Sequence, residues 1–168
     1  HPEWHGYTRY VGKGKEYISN YIACYIYLTE IAAAVYDGID PKTVKLKGDF
    51  ESKDKCEANV QKIFAVDAVT GQEGLKRYER ITDSNGKVVA NDTNVVVPWN
   101  EVLGNEVEDN NQSRAFFIYG MAIHTMTDMF AHSVYTEADG YLSHAEDSDK
   151  EYKVNNRLTC CRAMIWKL

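Results

Sequence analysis

Three residues with metal-binding side chains recur at four-residue intervals within an apolar stretch of the chain. They are His124, Asp128 and His132, and the residues around them are mostly alanine, isoleucine, methionine and aromatic residues. An α-helix advances by about 100° per residue, so these three positions project from one face within an arc of roughly 80°. The spacing therefore predicts a helix that carries an imidazole, a carboxylate and a second imidazole in one line.

The segment around these residues is apolar nearly all round, which predicts a buried helix. Burying an ionised aspartate beside two imidazoles is costly unless each group is paired or ligated. A divalent cation satisfies all three groups. Imidazole nitrogen and carboxylate oxygen favour zinc, although Mn, Fe and Ni use the same ligand types. The alternative is that Asp128 and the two histidines pair with one another, or face solvent along a helix edge.

The segment 115–162 resembles the ligand-bearing half of the zinc-dependent phospholipase C family. In that family a buried helix carries His-x3-Asp, another His follows, and a further His-x3-Glu completes a cluster of zinc ions. On this resemblance His124 and Asp128 match the first pair, His132 matches the next ligand and His144 the one after. The family shares its all-helical fold with zinc-dependent single-strand nucleases. The resemblance thus implies a mainly α protein with a multi-helix, phospholipase C-like core and a β-hairpin-containing insertion.

The resemblance implies further ligands as well. The position four residues after His144 is serine rather than glutamate, and Asp147 beside it is the favoured substitute. His1 and His5 are the candidate histidine ligands from the first half of the chain. Asp49 is a candidate ligand or general base in the first half, with a solvated loop acid as the alternative reading.

The chain also departs from the family pattern in its middle. Residues 63–71 resemble the family segment His-Phe-Tyr-Asp-Pro-Asp-Thr-Gly but contain no histidine. The whole chain has five histidines, which is too few for the usual ligand set. We therefore expect a site with fewer metals, from one to three zinc ions.

Length and composition indicate a single domain. The chain has 168 residues, of which 44% are hydrophobic, so it can bury a core of ordinary size. We expect a helical core formed by residues 1–42 and 105–168, with a β-rich insertion at about residues 43–100.

Several elements of this domain have clear local signals. Tyrosine and isoleucine at three- and four-residue spacing predict a helix over residues 15–37 that ends at Gly38. In the insertion, β-branched residues flank a turn at residues 83–86 and predict a hairpin that closes at Pro98. Asn110 or Ser113 is expected to cap the helix that carries the metal ligands.

Charge and motifs exclude several function classes. The net charge is −6 and no large cluster of lysine and arginine occurs, which argues against nonspecific binding to nucleic acid. No Gly-rich phosphate loop and no Gly-x-Ser-x-Gly motif is present. The most apolar run, residues 21–36, is too short and too polar for a transmembrane span. The first residue is not Met, so we expect that either N-terminal processing or truncation has removed the residues before it. The resemblance implies a secreted or cell-surface protein of bacterial type.

The four cysteines form no Cys-x2-Cys motif, so a structural zinc site built from thiolates is not expected. Cys24 lies in the predicted tyrosine-rich helix, which indicates a buried thiol. A bridge from Cys24 or Cys56 to Cys160 or Cys161 is the alternative.

Together these features predict a metal-dependent phosphodiester hydrolase that resembles phospholipase C. A metal-bound water would attack the phosphoryl group of a phospholipid head group or another phosphodiester. Transient contact with a membrane surface is expected, whereas nucleic acid is not an expected substrate. The competing prediction is a non-catalytic binding or structural module in which one fully ligated ion holds the helix, a loop and the N-terminus together.

Overall fold

The computed structural model describes residues 15–50, 53–131, 133–136 and 140–143. Helices and antiparallel strands are interspersed along this part of the chain. The helices are α1 (Lys15–Tyr36), α2 (Lys53–Gln61), α3 (Trp99–Leu103) and α4 (Asn111–Ala131), with a 3₁₀ turn at Pro41–Thr43. The strands are β1 (Phe64–Val66), β2 (Glu73–Thr82), β3 (Val88–Pro98), β4 (Ser133–Thr136) and β5 (Gly140–Ser143).

The prediction of a mainly α protein with a phospholipase C-like core is wrong, because two antiparallel sheets accompany the helices. Strands β1, β2 and β3 form a three-stranded sheet in that order, and β4 pairs with β5 directly after α4. The β4–β5 pair lies within residues 105–168, which were expected to be helical. Val134, Tyr135 and Thr136 are residue types that favour strands. The metal-binding pattern beside them favoured a helical interpretation and concealed this signal.

The helix predicted over residues 15–37 is confirmed as α1, and Gly38 determines where it ends. Gly38 has a φ of 77°. Its N–H donates to the carbonyl of Val35 at 3.0 Å, and the N–H of Ile39 donates to the carbonyl of Ala34 at 2.8 Å. This is the Schellman arrangement, in which glycine adopts the left-handed conformation without a Cβ clash. The chain can therefore leave the helix axis directly after the last turn.

The core lies chiefly between α1 and α4. Both helices present a buried stripe at three- and four-residue spacing. The α1 stripe contains Tyr27, Leu28, Ile31 and Val35, and the α4 stripe contains Ala115, Ile118, Ala122 and Thr125. The end of α1 meets the start of α4, since a Cβ on Gly38 would lie 3.2 Å from Nδ2 of Asn111. The two helices therefore run antiparallel, and the C-terminal half of α4 lies beside the N-terminal half of α1.

The prediction that the helix with the His124–Asp128 pattern is buried is wrong for one of its faces. Phe116, Tyr119 and Ile123 are 64%, 42% and 40% exposed. These positions form a face of α4 separate from the buried stripe, because α1 covers only one side of the helix. Composition indicated an apolar helix correctly, but the number of neighbours around a helix depends on the tertiary arrangement.

The β2–β3 hairpin has its turn at the residues predicted from the sequence. Oδ1 of Asp83 accepts hydrogen bonds from the N–H groups of Asn85 and Lys87 at 2.9 and 3.0 Å. Gly86 provides the positive φ, 78°, that the turn requires. Strand β3 ends at Pro98, as expected from a residue that cannot donate to a ladder, and α3 begins immediately after it.

The Tyr27 hydroxyl joins α1 to two neighbouring segments. It donates to the carbonyl of Val44 at 2.8 Å and accepts from Nε2 of Gln61 at 2.7 Å. Gln61 Nε2 also donates to the carbonyl of Pro41 at 2.8 Å. Burial of the ring raises the pKa of the Tyr27 phenol above its ordinary value of 10.0. One hydroxyl thus connects α1, α2 and the 3₁₀ turn within the core.

Replacing Tyr27 with phenylalanine is expected to lower the free energy of unfolding by about 1–3 kcal/mol, because it removes two hydrogen bonds, to the half-buried Val44 carbonyl and Gln61 amide, that contribute about 0.5–1.5 kcal/mol each. The raised pKa adds a pH dependence. Above about pH 10 the unfolded phenol loses its proton before the folded one does, so the wild-type protein loses stability as the pH rises. The difference between the two proteins should therefore narrow above pH 10 in urea unfolding curves. A difference in the free energy of unfolding that stays constant from pH 7 to 11 would contradict the raised pKa of the Tyr27 hydroxyl.

Candidate metal site and adjoining groove

The structure brings together two of the predicted site residues, His124 and Asp128, one helical turn apart on α4. Nε2 of His124 lies 3.2 Å from Oδ2 of Asp128. The side chain of His124 is 52% exposed, whereas that of Asp128 is only 11% exposed. The pair therefore combines an accessible imidazole with an almost buried carboxylate. His124 was expected in the core, but it lies outside the buried stripe of α4, and about half of its side chain is therefore accessible.

The separation of these two atoms suits a shared metal ion. Zinc bonds to nitrogen and oxygen are about 2.0–2.2 Å long, so neighbouring ligands on a tetrahedral ion lie about 3.4 Å apart. The observed 3.2 Å between Nε2 and Oδ2 is close to that value. The same distance also suits a direct ion pair with a protonated imidazole, which is the alternative left open by the sequence. Within the described ranges, no three His, Cys, Asp or Glu side chains are grouped to hold an ion. A complete site accordingly requires ligands from elsewhere in the chain.

The other predicted metal ligands fall outside the described residues. They are His1, His5, His132, His144 and Asp147. Asp49, the proposed ligand or general base, is described and lies exposed in the loop between the 3₁₀ turn and α2. It does not belong to the described residues that line the groove beside His124. Its catalytic role stays a prediction.

Residues 63–71, which the sequence analysis compared with a histidine-containing family segment, contain β1 and the turn into β2. Oδ1 of Asp67 accepts hydrogen bonds from the N–H groups of Thr70 and Val69 at 2.7 and 3.0 Å, and from the Thr70 hydroxyl at 3.0 Å. These bonds, with that from the Thr70 N–H as the largest cause, hold the pKa of the Asp67 carboxyl below its ordinary value. Asp67 therefore serves to close a turn between strands.

An apolar groove of about 530 Å³ adjoins His124. Its walls come from the residue before β1, from β2, β3 and α3, and from α4. The apolar lining residues are Ile63, Leu75, Val97, Val102, Phe117 and Met121, and Gly120 leaves space beside them. His124 lies one turn after Gly120 on the same helix. An apolar group bound in the groove would therefore lie next to the imidazole.

Two basic residues also line the groove, Lys76 and Arg77 on β2. Arg77 forms an ion pair with Glu101, whose Oε1 lies 3.6 Å from Nη1, and both side chains are about half exposed. An exposed pair of this length contributes little to stability, so the guanidinium can turn toward an anion at small cost. The groove was not predictable from the sequence, because its lining residues come from five separate segments.

A second polar cluster lies at the other end of α4, around Arg114. Its Nε and Nη2 bind the two carboxylate oxygens of Asp109 at 2.6 and 3.0 Å, and Nη1 binds Oε2 of Glu73 at 3.0 Å. The guanidinium carbon also lies 5.6 Å from the centroid of the Trp99 ring. All three guanidinium nitrogens are engaged, so this cluster fixes the start of α4 against the sheet.

In the part of the chain described here, no helix combines the length and apolar character needed to cross a bilayer. Comparisons of the chain with known protein families, with characterised proteins and with solved structures find no match. The candidate site thus consists of the His124–Asp128 pair, the apolar groove, and the basic residues Lys76 and Arg77.

Proposed function

We propose that this protein is a metal-dependent phosphodiester hydrolase, with zinc as the first candidate metal, and that His124 and Asp128 are two of the ligands. The observation that carries the proposal is the 3.2 Å separation of Nε2 and Oδ2 beside an accessible groove. A bound zinc ion lowers the pKa of a coordinated water and offsets the negative charge of phosphoryl oxygens. The sequence predicts one to three ions, of which hydrolysis in this form uses at least two, with His1, His5, His132, His144 and Asp147 as the further predicted ligands.

The described residues have distinct roles in this proposal. Asp128 provides a negative charge from a nearly buried position, where the low dielectric strengthens its attraction to a cation. His124 is about half exposed and provides an imidazole nitrogen on the groove side of the helix. Lys76 and Arg77 attract the anionic diester and hold it beside the pair. Asp49 stays the predicted general base.

The groove supports, as the proposed substrate class, a phosphodiester with an apolar substituent such as a phospholipid. Its walls are mainly aliphatic and aromatic side chains, so a hydrocarbon chain gains free energy by leaving water there. The basic residues at the same groove favour a negatively charged group at one end of that substrate. Transient contact with a membrane surface is expected for access to such a lipid.

A structural ion is the second candidate function, and the burial of Asp128 favours it. A fully ligated ion between α4 and other segments would need no open coordination position. The two functions differ in stoichiometry and turnover. Hydrolysis in the proposed form uses more than one ion and an accessible position, whereas a structural ion is single and inert.

The first experiment is metal analysis of the full chain, purified without an affinity tag, by inductively coupled plasma mass spectrometry. Hydrolysis of bis(p-nitrophenyl) phosphate with added zinc is measured on the same samples. We expect two or more zinc ions per chain, with both metal and turnover lost in His124→Gln and kept in the exposed-site control Gln112→Ala. One tightly held ion without turnover would support the structural module, and absence of metal would overturn both candidates.

Replacing Gly120 with leucine is expected to reduce hydrolysis of a diester with a long alkyl group. A Cβ at this position meets no atom within 4 Å, so a larger side chain is accommodated by entering the groove. If the leucine displaces two methylene groups of the substrate's alkyl chain from the groove, binding of the substrate weakens by about 1.6 kcal/mol. This free energy corresponds to a roughly tenfold lower kcat/KM. The comparison uses octyl and methyl p-nitrophenyl phosphates.

The methyl diester, which does not reach the groove, should be hydrolysed by Gly120→Leu at the wild-type rate. Gln112→Leu adds the same side chain to an exposed position of α4 and should change neither rate. Equal losses for both diesters in Gly120→Leu would indicate damage to His124 instead of a filled groove.

A further inference from the structure

Two buried cysteines from different helices lie in contact in the core. Sγ of Cys24 on α1 is 3.3 Å from Sγ of Cys56 on α2, and both residues are less than 7% exposed. Both are free thiols in the structure. The residues are 32 positions apart in the chain, so their contact is created by the packing of α2 against α1.

The distance between the two sulfur atoms is shorter than ordinary contact and longer than a covalent bond. A disulfide requires about 2.0 Å, so the sulfurs need to approach by about 1.3 Å. Adjustment of the two side-chain torsions and a small helix shift provide this movement. The other two cysteines, Cys160 and Cys161, lie outside the described residues.

We propose that Cys24 and Cys56 form a disulfide that joins α1 to α2 when the chain folds in the presence of a disulfide oxidant. A thiolate of one cysteine attacks a small-molecule disulfide such as oxidised glutathione and displaces one thiol. The thiolate of the second cysteine then attacks the mixed disulfide and displaces the other. The protein pair loses two electrons and two protons, and these appear as two molecules of reduced thiol.

The bond forms while the chain is folding, before the two sulfurs are enclosed. In the folded protein, the contact with Cys24 and then burial raise the pKa of the Cys56 thiol, which keeps it from becoming the reactive thiolate. Burial also protects the finished bond, because a water-soluble reductant cannot reach either sulfur. We therefore expect a disulfide that resists reduction in the native protein and is reduced readily in urea.

The test refolds the full chain in a mixture of reduced and oxidised glutathione and blocks free thiols with N-ethylmaleimide under denaturing conditions. Digestion with trypsin without reduction should give a cross-linked pair of peptides, residues 16–42 and residues 56–62, by mass spectrometry. Alkylation of both Cys24 and Cys56 would overturn the proposal. A cross-link from either peptide to residues 158–162, which contain Cys160 and Cys161, would overturn it as well.

Stability provides an independent measurement. The oxidised wild-type protein should unfold at a higher urea concentration than the same protein reduced in urea and refolded with dithiothreitol. The double variant Cys24→Ala and Cys56→Ala should show no such difference, whereas the matched control Cys160→Ala and Cys161→Ala should retain it. A difference that disappears in the control pair instead would assign the bond to the other cysteines.

Discussion

Replacing Gly74 with alanine is expected to destabilise the protein by about 3 kcal/mol or more, the upper range for overpacking a core. Gly74 lies in β2, the central strand of the three-stranded sheet, opposite Pro98 on one side and Ala65 on the other. A Cβ there would lie 2.7 Å from the carbonyl carbon of Val97 and 2.8 Å from Cα of Pro98, with the Val97 oxygen closer still. These are backbone atoms, so relief requires the two strands to separate.

The measurement is urea unfolding of Gly74→Ala, followed by circular dichroism, beside Gly120→Ala as a matched control. The control makes the same chemical change in α4, where a Cβ meets no atom within 4 Å. It should increase stability by up to about 1 kcal/mol through helix propensity. The free energy of unfolding is therefore expected to fall in Gly74→Ala and to rise in Gly120→Ala. An unchanged midpoint for Gly74→Ala would mean that β2 and β3 are not as close at this position as described.

Replacing Asp128 with asparagine is expected to lower zinc affinity and the rate of diester hydrolysis roughly 100-fold or more, since loss of even an indirect metal partner costs 10–100-fold. The amide has nearly the same shape as the carboxylate but carries no charge, so the packing of α4 against α1 is retained. The Asp128 side chain is 11% exposed, and water cannot fully replace the lost charge. Competition with a chromophoric chelator measures the affinity, and bis(p-nitrophenyl) phosphate measures the rate.

The control for Asp128→Asn is Glu106→Gln, which removes a negative charge from an exposed loop before α4 and should change neither quantity. A stability measurement separates a metal ligand from a simple ion pair with His124. Zinc at 100 times its Kd stabilises a protein that binds it only when folded by about 2.7 kcal/mol. The wild-type protein should show this increase and Asp128→Asn should not. If the variant is destabilised equally with and without zinc, the His124–Asp128 contact is an ion pair.

Local features of the fold were predictable where one short segment contains the whole signal. The apolar spacing before Gly38 predicted α1, and the Asp83 to Gly86 turn predicted the β2–β3 hairpin. Asn110 and Ser113 were the two candidate caps of α4, and the structure has Asn110, whose Oδ1 accepts a hydrogen bond from the Ser113 N–H at 2.9 Å. Each of these features depends on backbone geometry within a few residues, and the residue types in that short segment favour the geometry directly.

The fold class was predicted wrongly for an identifiable reason. The His124-x3-Asp128 pattern favoured a helical protein, and the strand signals from Val134 to Thr136 were not weighed against it. Likewise α2 lies within residues 43–100, which were expected to be β-rich. A motif of a few residues constrains the helix that carries it and says little about the layers around that helix.

The sequence by itself determined that His124 and Asp128 share one helical face, because side-chain direction along a helix follows from residue spacing. It also determined the ends of α1 and the position of the hairpin turn. Only the tertiary structure decided that Phe116, Tyr119 and Ile123 of α4 are exposed, that a groove opens next to His124, and that Cys24 meets Cys56. Contacts of this kind depend on which segments pack together. The spacing of residues along the sequence does not give the distance in space between residues of different segments.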